Sequence, residues 1–127
     1  MSNKILLKIG ALIALTVTIP QSFAQANGES IFDQKCAMCH LKQRPSADEM
    51  KNMIAPPMMG VMRHVKQVKT NRTEAIAFIA DYLFAPSQKS AVCLPQSIAR
   101  FGVMPSQKDN LTKEEAQTVA AYIYDTF

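Results

Sequence analysis

Lys35-Cys-Ala-Met-Cys-His40 places two thiols three residues apart with an imidazole directly behind the second. Three chemistries use such a pattern: a redox-active dithiol, a structural zinc site, and covalent attachment of haem. A thioredoxin-type dithiol belongs beside a strand of a βαβ unit, and no strand pattern is visible here. Zinc accepts three sulfurs with one nitrogen, so Cys36, Cys39, Cys93 and either His40 or His64 form a candidate set. That set must use the adjacent Cys39 and His40 together or leave His40 idle, and it gives no reason for the eight methionines. Haem attachment uses the whole motif. Each thiol adds to one vinyl group, the two-residue spacer matches the separation of the vinyls, and His40 is delivered to the iron.

Upstream, Lys4 and Lys8 precede an uncharged run from Ile9 to Ile19, then Pro20 and the small-residue steps Ser22-Phe-Ala24 and Ala24-Gln-Ala26. Basic, then apolar, then small is the layout of a secretory leader. The apolar run is 11 residues long, against the roughly 20 that an uninterrupted membrane span needs, so cleavage is expected rather than anchoring. No cysteine stands at either cut to accept a lipid. The expected division is a leader over 1–24, with the cut after Ala24 or Ala26, and one domain over 25–127.

Loss of Lys4 and Lys8 takes two charges from the formal +4 of the 127-residue chain. What remains is a mildly basic domain of about 100 residues, near the small end of what one core stabilises. A covalent cofactor would enlarge that core. Export points to the periplasm, an oxidising compartment where cysteines normally pair. Once haem has taken two thiols, Cys93 in Ala91-Val-Cys-Leu94 is left over and reads as a small buried hydrophobe.

The rest of the chain carries helical signals. A first helix is expected from Asn27 to Cys36. Pro45, Pro56, Pro57 and Gly60 then argue for a loop from Leu41 to Val61, with at most one short turn near Ala47 to Met53. Asn71 with Glu74, followed by Ile76, Ile79, Ala80 and Leu83, predicts a helix over Arg72 to Ala85 that Pro86 stops. Pro95 and Gly102 bracket a short helix ending at Phe101. Thr112 and Glu115 form a capping box for a last helix with Ala116, Val119, Ala120 and Ile123 on one face. The fold class is all-α. No internal repeat, low-complexity tract or nucleic-acid motif is present.

Taken together these residues resemble the monohaem class I cytochromes c. Gly28, eight before Cys36, and Phe32, four before it, are similar to that family's first helix, where the glycine permits close crossing of the last helix and the aromatic packs on it. Tyr122 and Tyr124 look like the other side of that crossing. The resemblance implies a small helical fold around one haem c, held through two thioethers at Cys36 and Cys39 with His40 on the iron. The family's second ligand is a methionine in a loop ahead of the last helix, and Met104, between Gly102 and Pro105, matches it. Met58, Met59 and Met62 are rival sulfurs, expected to line the haem pocket. His64 is a rival nitrogen, or a neighbour of a propionate with Arg63. After His40 the chain reads Leu41-Lys-Gln-Arg-Pro45 in place of the family's glycine and proline, so the acceptor of the His40 Nδ1 proton is sought near Pro45, Pro56 or Pro57.

With both axial positions filled by protein, the resemblance implies an electron carrier, not an enzyme. Its partners would be redox-protein donors and acceptors docking transiently over the haem edge, with no nucleic acid and no stable membrane insertion once the leader is removed. Lys35, Lys42 and Lys108 are candidates for meeting acidic patches on such partners. A labile Met104 would instead make the iron reactive toward a diatomic gas or peroxide, and a chain without haem would return to the zinc reading.

Overall fold

The computed structural model describes the backbone of residues 21–127 and the side chains of 27–127. The expected leader, with its cut after Ala24 or Ala26, lies outside the residues whose side chains are described. Six helices follow one another: α1 (Gln21–Lys35), α2 (Ala47–Asn52), α3 (Met58–Val68), α4 (Arg72–Phe84), α5 (Pro95–Phe101) and α6 (Lys113–Thr126). Among the described residues there is no strand, so the all-α expectation holds. No described helix is long and apolar enough to cross a membrane.

The centre of the fold is the crossing of α1 over α6. A β-carbon at Gly28 would stand 2.5 Å from Tyr122 Cβ and 3.0 Å from the Thr118 carbonyl oxygen, so only glycine lets the two backbones approach this closely. Phe32 is fully buried beside it, with ring centroids 5.9 Å from Tyr122 and 5.4 Å from Phe127. Tilted aromatic contacts of this kind add to the burial itself. On its other side α6 packs against α4, and more lightly against α3. Ala116, Val119, Ala120 and Ile123 are buried as their spacing predicts.

Caps set the element boundaries. Thr112 and Glu115 form the expected reciprocal box, and Ser46 with Glu49 forms another at α2. Asn71 caps α4 alone, accepting from the Thr73 and Glu74 N–H groups. The buried stripe of α4 is Ala75, Ile79, Ala80 and Leu83, with Ile76 half-buried at its margin. The one missed element is α3, which begins inside the expected loop. Pro57 stands at its N-cap with φ −62°, and Met58, Met62 and Val65 are buried on one face at i, i+4 and i+7. That apolar face outweighs the local breaker Gly60, whose position has room for a side chain. Met59 belongs to the same helix and is 49% exposed.

Candidate haem-binding site

The motif follows directly from the end of α1. The Phe32 carbonyl accepts from both Cys36 N–H (2.8 Å) and Ala37 N–H (2.9 Å). The Cys36 carbonyl then accepts from Cys39 N–H (3.1 Å) and His40 N–H (2.9 Å). This tightening turn sets both thiols and the imidazole within one short bend. Cys36 is half-buried and Cys39 exposed, and both are free thiols. Burial, with Cys39 adding to it and Lys35 opposing, pushes the Cys36 thiol up to about 11. It stays protonated at neutral pH, where thiolate-driven disulfide exchange is slow.

His40 is the best-defined group. Its Nδ1 lies 2.8 Å from the Pro56 carbonyl oxygen. A carbonyl can only accept, so Nδ1 carries the proton and donates it, which leaves the Nε2 lone pair for a metal. Burial lowers the imidazole pKa, partly countered by the Pro56 bond, and so favours the neutral ring that ligates. A second bond, Met58 N–H to the Leu41 carbonyl at 3.0 Å, joins the same two segments. The acceptor sought among three prolines is thus the main chain of Pro56.

Met104 is half-buried against the core, with Phe84, Val61 and Val92 placed likewise. Gly102 before it adopts φ +73°, the left-handed region that glycine supplies without strain. Of the rival sulfurs, Met58 and Met62 are packed into the protein core at 5% and 0% exposure. His64 is half-buried on α3. Neither α2 nor α5 packs extensively on another helix. Arg100 of α5 instead donates to the Met50 carbonyl of α2.

Among the described residues, all the exposed large apolar side chains except Val68 lie between Met38 and Met59 or between Leu94 and Val103, the stretches that include or flank His40 and Met104. Two free thiols three residues apart, an imidazole oriented through Nδ1, and exposed apolar side chains in the neighbouring stretches of chain fit haem c. They do not fit zinc: among the described residues no three His, Cys, Asp or Glu side chains converge. Cys93 is half-buried with a raised thiol pKa, although Leu94 beside it is exposed.

Two of the lysines expected to meet partners are engaged inside the molecule. Lys35 bridges Glu115 and the Asn110 carbonyl, both at 2.8 Å. Lys42 sits 2.6 Å from Asp33 and 3.1 Å from Glu29, with the Phe32 and Tyr122 rings 5.6 and 5.7 Å away. Both reinforce the α1–α6 crossing. Lys108 is exposed.

The family model described as cytochrome C oxidase, cbb3-type, subunit III matches residues 23–123. An uncharacterized protein of Aquifex aeolicus (strain VF5) is 30% identical over 132 residues, covering 91% of this chain and 86% of that one. No solved structure gives a significant match.

Proposed function

The chain belongs to the family described as cytochrome c oxidase, cbb3-type, subunit III, a family of c-type cytochrome domains, and we propose that it passes single electrons between redox proteins through one haem c. In this reading Cys36 and Cys39 would hold the group by two thioethers, and His40 and Met104 would bind its iron. The exported domain works in the periplasm, without membrane insertion after leader removal. The observation that carries the reading is the His40 tautomer, fixed by the Pro56 carbonyl directly behind the two free thiols.

When bound, haem supplies an iron that cycles between ferric and ferrous. The protein's part is to hold the same donors in both states, so that little rearranges when the electron moves. His40 is oriented by a main-chain carbonyl of a rigid Pro-Pro step, which cannot shift its proton demand. Met104, a neutral thioether, favours the ferrous state and raises the potential. With His40 and Met104 both bound to the iron, a substrate would have no open site there, which favours a carrier over an enzyme. Partner docking rests on exposed groups such as Lys108 and the apolar side chains around the motif, rather than on Lys35 and Lys42.

A haem-stained denaturing gel of exported protein tests the attachment. The parent chain is expected to retain its stain after boiling, and the Cys36→Ala/Cys39→Ala variant to lose it. Equal staining of the two would refute covalent attachment at the motif.

A further inference from the structure

Met104 lies in a stretch without regular structure between Gly102 and the turn that starts at Lys108. After the Gly102 N–H, which donates to the Ile98 carbonyl, the next main-chain bond along the chain is Gln107 N–H to the Leu83 carbonyl at 2.7 Å. Beside it, Ser106 Oγ donates to the Phe84 carbonyl at 2.6 Å. Gln107 Nε2 turns back to the Pro105 carbonyl at 2.9 Å. Leu83 and Phe84 are the last two residues of α4, where helical carbonyls run out of intrahelical donors, and Pro86 has no N–H to offer. The loop therefore completes the end of α4 and is tied down by the same two bonds.

We propose that Ser106 is a positioning residue for the axial methionine: its hydroxyl, bound to the Phe84 carbonyl, holds the loop that presents Met104 and sets how readily an outside ligand displaces that thioether. The inference rests on the reading of Met104 as the sixth ligand. On the N-terminal side the loop starts from Gly102, whose N–H closes α5 on the Ile98 carbonyl, but α5 has no buried residue and so anchors this end only weakly to the core. On the C-terminal side it ends on α4, which Ala75, Ile79, Ala80 and Leu83 seat firmly in the core. Met104 lies two residues from each end, so the restraint on its sulfur comes mainly from the α4 side. Pro105 fixes φ between ligand and tie and transmits that restraint. Without the hydroxyl, the Gln107 bond still closes the loop, but the chain next to Met104 gains freedom and the thioether competes less well for its place.

Titration of the ferric holoprotein with imidazole reads this competition. One net hydrogen bond corresponds to about a fivefold change in such an equilibrium. Ser106→Ala is expected to raise the apparent imidazole affinity by about that factor, and Ser106→Thr, which keeps the hydroxyl, to restore the parent value. Asn71→Ala removes the cap at the opposite end of α4. It is expected to lower the melting temperature with no change in imidazole affinity. Unchanged affinity in Ser106→Ala, or an equal rise in Asn71→Ala, would overturn the positioning role. Met104→Ala gives the upper limit, with imidazole binding unopposed. If Met104→Ala leaves the affinity at the parent value, the ligand reading itself has failed and the proposal falls with it.

Discussion

The α1–α6 crossing and the segments that carry His40 and Met104 are held in different ways. At the crossing, side chains fill the space: Phe32, Ala116, Val119 and Ala120 are fully buried, and Gly28 admits the facing backbone. Around His40 and Met104 the helices are short, many large apolar groups are half-buried or exposed, and fixation comes from individual hydrogen bonds. The His40–Pro56, Met58–Leu41, Arg100–Met50, Ser106–Phe84 and Gln107–Leu83 bonds all end on main-chain carbonyls. Apolar packing is strong but non-directional, whereas a hydrogen bond to a fixed carbonyl sets an angle. The frame supplies stability and the tethers supply geometry.

The largest break is expected in the frame. Gly28→Val places a branched side chain where even a β-carbon meets Tyr122 Cβ at 2.5 Å, and no neighbouring side-chain tip can yield. Circular dichroism and holoprotein yield are expected to show loss of the folded species. Next is Met62→Ala, which empties a fully buried site on α3. It should cost about 2–5 kcal/mol in denaturant unfolding, without a change of axial ligands. A tether variant acts more locally. Arg100→Ala removes the α5–α2 link and is expected to cost about 1 kcal/mol globally, while amide exchange in residues 47–52 rises well above that of α6.

The smallest effect concerns Glu115, whose carboxyl is held below its usual value near 4.5 chiefly by Lys35 and then by the Thr112 N–H. A depressed folded value means that the contribution is complete above about pH 4.5 and is lost as the pH falls through the lower folded value. Glu115→Gln should therefore melt slightly below the parent at neutral pH. The gap should close in acid, as followed by melting temperature against pH.

The same contrast explains what the sequence disclosed. The frame was legible because its causes are local and periodic: the Thr112–Glu115 box, the α6 stripe, Pro95 and Gly102 around α5, and the glycine and aromatic of α1. CxxCH was legible because its chemistry is written in adjacent side chains. The α3 helix was obscured by Pro56-Pro57 and Gly60, which read as loop, although Met58, Met62 and Val65 already carried a helical period. The His40 acceptor could be narrowed only to Pro45, Pro56 or Pro57, of which Pro56 holds the bond, and the other tethers were out of reach because every residue has a carbonyl. Lys35 looked free because its carboxylate partner is 80 residues away.

The central claim, that Met104 rather than a methionine of α3 completes the iron coordination, is tested most directly by ferric absorption spectra of Met104→Ala and Met58→Ala, each with covalent haem retained. Met104→Ala is expected to lose the long-wavelength methionine–iron band, become high-spin or misligated, and fall in reduction potential. Met58→Ala is expected to keep the band and lose stability through core packing alone. A band that survives Met104→Ala and disappears in Met58→Ala would contradict the assignment.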